Sequence, residues 1–180
     1  MIIREMQEEF DGERLSNFDF SFSTEHIYRV SIDKMSVRIT EEKLDSPFQK
    51  SYQLDFIKKD INEADYAVVA EDENVIVGFA TVKYEDWNNR AVLTGIFVEP
   101  EFRGKSVGKA LIELVENYAQ TKSARCLFVE TQNVNYPAIR FYRNIGFEFC
   151  GFDTSLYNSA DVSADETAFY FCKKFTNENS

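Results

Sequence analysis

Arg103-Gly104-Lys105-Ser106-Val107-Gly108 is the stretch on which the reading of the fold turns. Before it, Ala91 to Val98 is a mostly apolar run, as expected for a strand buried on both faces, and Glu99-Pro100 stops it. After it the period changes. Val107, Leu111, Leu114, Val115 and Tyr118 recur at i, i+4, i+7, i+8 and i+11, which is one face of a helix. A strand, a basic glycine loop and a helix therefore follow one another directly. Glycines let backbone pass close to a ligand, and the free N–H groups and dipole of a helix start attract an anion. Arg103, Lys105 and Lys109 add positive charge there. The plainer alternative is a strand-to-helix turn with glycines for packing and lysines in water.

Downstream, Cys126 to Val129 reads as a short buried strand, and Tyr136 to Asn144 as a second helix with Pro137 in its first turn. Gly146 supplies the left-handed stop, and Phe147 to Phe149, Ser155 to Tyr157 and Ala168 to Phe175 complete a sheet. Upstream, Tyr66 to Ala70 and Val75 to Val82 read as a hairpin about the turn residues Asp72-Glu73-Asn74. Glu85 to Asn89 is a polar turn, and Asp55 to Asp65 is helical or loop. Residues 1–60 are the least legible. Phe18, Phe20 and Phe22 alternate with polar residues, as do Ile27, Tyr28 and Val30 less regularly, which predicts short strands. Hairpins followed by strand–helix–strand–helix mean a mixed α/β sheet.

The chain of 180 residues has 44% hydrophobic and 15% aromatic residues, so it can bury a core, and with 7 Gly, 3 Pro and no repeat it has no linker. One domain over residues 1–180 is expected. With 20 Lys+Arg against 31 Asp+Glu the net charge is -11, which argues against a nucleic-acid binder and favours cationic partners. Cys126, Cys150 and Cys172 are odd in number and widely spaced, against a disulfide framework or a metal site and in keeping with a reducing cytosol. No apolar run approaches the roughly 18 residues of a membrane span, and the charged N-terminal residues do not fit a signal peptide. A cytoplasmic, non-membrane protein is expected.

Two phosphate-binding patterns fit poorly. Gly104-Lys105-Ser106 resembles the end of a P-loop, but the required first glycine falls on Glu99, and G-x-G-x-x-G is absent. The loop Arg103 to Gly108 instead resembles the Q/R-x-x-G-x-G/A loop of the GNAT superfamily of N-acetyltransferases. Asn135-Tyr136-Pro137-Ala138-Ile139-Arg140-Phe141-Tyr142 with Gly146-Phe147 is similar to that family's second block. Trp87-Asn88, Glu130-Thr131-Gln132, Asp153-Thr154-Ser155-Leu156-Tyr157 and Ser21-Phe22-Ser23-Thr24 extend the likeness toward the streptothricin and nourseothricin acetyltransferases. The resemblance implies a mostly antiparallel sheet with a splayed parallel strand pair and flanking helices. It also implies acetyl-CoA as co-substrate, no metal, a small cationic amine as acceptor, and the homodimer common among relatives.

The reaction so implied is attack by a neutral amine on a thioester. It needs a polarised carbonyl, a route for the amine's proton and protonation of the departing thiolate. In the family, backbone N–H groups of the splayed strand meet the cofactor, here Ile96-Phe97-Val98, and the loop Arg103, Gly104, Lys105, Ser106, Val107, Gly108 with Lys109 holds its phosphates. Tyr142 matches the general acid; otherwise it is a core aromatic. Asn135 caps the second helix, contacts the cofactor arm, or both. Two positions depart from the family pattern. Ser106 replaces the central glycine, and its Cβ calls for a helix-like φ. Thr94-Gly95 stands where the resembling enzymes carry acids, which leaves Glu130, at the end of the strand beside the splay, to hold or deprotonate the amine. Glu85 and Asp86, beside Trp87, line the acceptor pocket or are solvated charges. His26 reads as structural and Cys126 as core. A degenerate member that binds CoA or a partner without turnover is the second reading, motivated by the same two positions.

Overall fold

The computed structural model describes residues 1–158 and 166–175. The chain divides into two compact units, the first built from Met1–Phe20, Ser51–Val129 and the residues from Lys173, the second from Ser21–Lys50 and Glu130–Cys172. The first unit contains β1 (Ile2–Glu5), α1 (Glu8–Arg14), α2 (Leu54–Asn62), β4 (Tyr66–Asp72), β5 (Val75–Glu85), β6 (Arg90–Val98), α3 (Val107–Thr121) and the start of β7 (Cys126–Gln132). Its strands lie in the order β1-β4-β5-β6-β7. All neighbours are antiparallel except β6 and β7, whose parallel register pairs Ala91 with Leu127, Val92 with Phe128 and Leu93 with Val129. The expected mixed, mostly antiparallel sheet with one parallel pair is thus what forms. No helix among the described residues is long and apolar enough to cross a membrane.

The β4–β5 hairpin closes where turn residues were expected. Glu73 and Asn74 both take positive φ, at 48° and 65°, the pair that matches strand twist in a two-residue loop. Below the sheet, Leu15, Phe18, Phe20, Ile57, Ile61, Val69 and Phe79 form a buried cluster with Phe97 packed against it. Phe18 and Phe20 belong to this core but precede the strand that their alternation predicted. The sheet edge is tied down electrostatically. The buried Asp11 side chain bonds Arg4 at 2.7 and 2.9 Å and Arg14 at 3.0 Å, and Glu71 bonds both arginines. Those hydrogen bonds hold the Asp11 and Glu71 carboxyls below the usual range.

The second unit holds the hairpin of β2 (Ser21–Asp33) and β3 (Ser36–Ser51), the rest of β7, α4 (Tyr136–Asn144), β8 (Glu148–Asp153) and most of β9 (Ala168–Lys174), with β8 antiparallel to β9. Strands of 13 and 16 residues replace the short ones expected in this region. Both faces of β3 are largely exposed, so no hydrophobic alternation marks it. Ser155–Tyr157, expected as strand, is a bend. The second helix matches its expected bounds, capped by Asn135 and followed by Gly146 at φ 95°.

What positions the basic loop is the seating of α3. Its buried residues are Val107, Leu111, Ile112, Val115 and Ala119, a stripe rotated slightly from the expected one, with Leu114 and Tyr118 only half-buried. The first turn rests on β5 at Gly78. A Cβ there would meet the Phe97 carbonyl oxygen at 3.1 Å and Val107 and Leu111 methyl carbons at 3.2 Å. Gly78→Val should therefore destabilise the fold by about 2 kcal/mol in urea unfolding, since extra methyls in a packed seam force backbone shifts. Gly151→Ala, whose methyl would sit at an ordinary 3.6 Å from Tyr170, should change stability little. Equal effects would contradict the seam.

Candidate active site

β6 is not buried on both faces as expected. Ala91 and Leu93 are buried, but every residue from Thr94 to Val98 is only partly covered. The reason lies in a bulge. Thr81 pairs with Gly95 and Val82 with Leu93, which leaves Thr94 as the extra residue directly after the last parallel pair with β7. A bulge ends regular pairing and re-aims the strand. Beyond it Ile96, Phe97 and Val98 pair with Ala80, Phe79 and Gly78. The Thr94 and Thr81 hydroxyls lie 2.8 Å apart, and a Cβ at Gly95 would meet the Thr81 hydroxyl at 3.1 Å. Thr94 and Gly95 thus both meet the Thr81 hydroxyl at the bulge.

The loop after β6 is held at its root, where Arg103 Nε donates to the Val98 carbonyl at 2.9 Å. Glu99, the residue that disfavours a P-loop, accepts the Asp19 amide at 3.2 Å. Gly104 and Ser106 both have left-handed backbone, φ 76° and 65°. Ser106 thus departs from the expected helix-like φ: the tight entry into α3 imposes the glycine conformation on a residue with a Cβ. Its side chain does not cap the helix, and the first amides of a helix have no intrahelical acceptor. Lys105 lies over the Phe102 ring at 5.0 Å, and Lys109 pairs at 3.9 Å with Glu113 on the exposed face. Amides, helix dipole and three cations thus surround one turn of backbone in an otherwise acidic chain. That set fits the pyrophosphate of acetyl-CoA. Among the described residues no His, Cys, Asp or Glu cluster has the makings of a metal site.

Asn135, Tyr142 and Glu130 fall in the second unit. Asn135 does cap α4, its Oδ1 accepting the Ala138 amide at 3.2 Å. Tyr142 is buried among the rings of Phe141, Phe147 and Phe171. β7 runs on to Gln132, so Glu130 lies inside the strand rather than at its end. Its carboxyl is pushed above the usual range by burial, against the opposing pull of a hydrogen bond donated by Tyr157 and the nearby charge of Lys50. Tyr157 was visible in the sequence only as part of a resemblance, and Lys50 carried no signal at all.

The remaining candidates sit at the β5–β6 turn, the other end of β6 from the loop. Glu85 bonds Arg90 at 2.7 Å, Asp86 starts a short 3₁₀ turn, and Trp87 is 81% exposed. His26 stacks on Tyr136 with ring centroids 5.3 Å apart, and Cys126 is buried.

Ser106→Gly should raise stability by about 0.5–1 kcal/mol in urea unfolding, because relief of the left-handed Cβ outweighs the added freedom of the unfolded chain. A loss of stability would contradict the assignment of strain to this residue.

Residues 30–147 match the acetyltransferase (GNAT) family model. The chain is 33% identical over 168 residues to the streptothricin acetyltransferase of Streptomyces lavendulae, covering 89% of this chain and 88% of that one. It resembles a crystal structure of nourseothricin acetyltransferase with a TM-score of 0.85 at 33% identity, over 96% of this chain and 97% of the other. A crystal structure of a Bacillus anthracis str. Ames protein in complex with acetyl coenzyme A gives a TM-score of 0.79 at 30% identity, over 97% of each chain. The match over most of both chains, in sequence and in fold, shows that the chain belongs to the GNAT acetyltransferase family and is an N-acetyltransferase that uses acetyl-CoA.

Proposed function

We propose that the acceptor is an amine of a small polycationic molecule, a streptothricin-type antibiotic foremost, and that Glu130 is the carboxylate that receives it. The observation that carries this is the setting of Glu130: a largely desolvated carboxylate that accepts the Tyr157 hydroxyl and is pushed above the usual range by burial is suited to take a proton from an ammonium. The names of the relatives support the substrate class. The net charge of -11 supports a cation, since the field of the protein draws one in. Asp86 and Glu85, beside Trp87, contribute to that field. We further propose that residues 1–180 work as one acetyltransferase domain in the cytosol. The family match from 30 to 147, which takes in parts of both units, supports the first point.

In this reading the residues divide the work. Amides and cations of the loop from Arg103 to Lys109 hold the phosphates of acetyl-CoA. Ile96, Phe97 and Val98, together with Asn135, align its arm. Glu130 accepts one proton from the substrate ammonium, and the freed nitrogen lone pair forms the N–C bond as the C–S bond breaks. Tyr142 donates its proton to the leaving thiolate and is restored by the second proton, which the nitrogen loses as the amide forms. The products are an amide, CoA thiol and one net proton released.

Turnover is read as free-thiol release. Streptothricin should be acetylated with a higher kcat/KM than a neutral amine of similar size. The advantage should shrink between about 0.1 and 1 M salt, as the screening length falls from about 10 to 3 Å. Glu130→Gln should lower kcat/KM by about 10²-fold or more. Preference for a neutral acceptor, or full activity in Glu130→Gln, would overturn the reading.

Tyr142→Phe keeps the packing and removes the proton donor. It should lower kcat by about 10²- to 10⁴-fold with acetyl-CoA affinity unchanged. A kcat above half the wild-type value, with chemistry rate-limiting, would remove Tyr142 from that role.

A further inference from the structure

Glu130 is gripped by side chains that the strand beneath it does not need. The Tyr157 hydroxyl donates to Glu130 Oε1. It is brought there by a turn built on Asp153, the last residue of β8. Asp153 Oδ1 accepts both the Ser155 amide and the Ser155 hydroxyl, each at 2.7 Å. Thr154, Ser155 and Leu156 are exposed, so burial does not shape this turn; the Asp153 carboxylate does. Lys50, near the end of β3, adds positive charge to the same surroundings and is itself pinned by Glu166, whose side chain is 3% exposed. Tyr170 also feels this carboxylate, since the charges of Asp153 and Glu130 add to the burial that pushes its hydroxyl up. Among the described residues, the charged and titratable groups that act on Glu130 or feel its charge include Tyr157, Lys50 with Glu166, and Tyr170 with Asp153.

A carboxylate has about four lone-pair sites on two oxygens. Oε1 is engaged by Tyr157, and Oε2 is the second oxygen with which the carboxylate could meet a donor. We propose that Tyr157 is a positioning residue of the acceptor site, delivered by the Asp153 turn, which fixes the Glu130 carboxylate so that Oε2 meets the substrate ammonium. The proposal rests on Glu130 being the acceptor carboxylate. It assigns a task to Asp153-Thr154-Ser155-Leu156-Tyr157, a segment that the chemistry above leaves without one.

The sign of the effect follows from the opposing influences on Glu130. Burial favours its neutral form, and the Tyr157 bond favours the charged form. Loss of the hydroxyl lets the carboxyl rise further, so its ionised form disappears at a higher pH. Tyr157→Phe should move the acid limb of the kcat/KM profile for streptothricin to higher pH. The loss at the acid end should be about 10-fold or more, as for a hydrogen bond to a charged group, and should recover at alkaline pH. The carbon-13 resonance of the Glu130 carboxyl should titrate at correspondingly higher pH in the free enzyme. Asp153→Ala, which keeps Tyr157 but removes the turn, should shift both readouts the same way, and it decides the question if Tyr157→Phe does not fold. An unmoved carboxyl titration in both variants, or a loss of equal size at every pH, would overturn the positioning role. Wild-type activity in Glu130→Gln would instead overturn the acceptor reading on which it rests.

Discussion

A missing side chain at Gly78 governs where the first turn of α3 can sit. A Cβ at that point would press on the Phe97 carbonyl at 3.1 Å and on Val107 and Leu111 of α3 at 3.2 Å, so the helix would have to give way by a few tenths of an ångström. Because the helix presses this close, the chain has only Glu99 to Ser106 in which to leave β6 and reverse. The reversal is completed by two left-handed residues, Gly104 and Ser106. The first amides of α3 are thereby left without side-chain capping, at the positive end of a 15-residue helix. Sheet packing and the left-handed loop thus meet at one seam, and the proposed cofactor loop follows directly from it.

The strand leading into that loop solves a related problem. A regular β6 would continue its ladder with β7 and satisfy its backbone groups internally. The bulge at Thr94 interrupts this directly after Leu93, and the side chains beyond it are only partly covered. The Thr81–Thr94 hydroxyl pair and the small Gly95 hold the bulge in place at the position where acids were expected from resemblance. Glu130 on β7, proposed as the carboxylate instead, is held above the usual carboxylate range by burial. For an acidic protein, holding an anionic cofactor needs positive charge gathered locally. Arg103 and Lys105 in the loop and Lys109 in the first turn of α3 place positive charge there, in a chain whose net charge is -11.

Elements whose stability is local were legible in the sequence. α4 carries its own start and stop in Asn135, Pro137 and Gly146, and its bounds were read correctly. The β4–β5 turn is dictated by Glu73 and Asn74, and the loop into α3 by glycines and periodicity. Features that depend on a partner strand or on tertiary pressure were not legible. The bulge at Thr94 exists only relative to Thr81 and Val82, although Gly95 inside an apolar run was a hint. The left-handed Ser106 contradicts its intrinsic preference because the helix is seated elsewhere. β3 has no buried face along its length, hence no alternation to find, and β2 is buried only in its first half, at Phe22, Thr24 and Ile27, so its full length did not show. Lys50 acts on Glu130 from 80 positions away along the sequence, a pairing that composition and spacing cannot disclose.

The seating of α3 on Gly78 and the amide cluster it creates can be tested without any assumption about the acceptor. Acetyl-CoA titrated into nitrogen-15-labelled protein should produce its largest amide shifts at Gly104 to Lys109, with a second group at Ile96 to Val98. Shifts that leave both stretches unmoved while acetyl-CoA binds would contradict the placement of the cofactor and, with it, the role assigned to the seam.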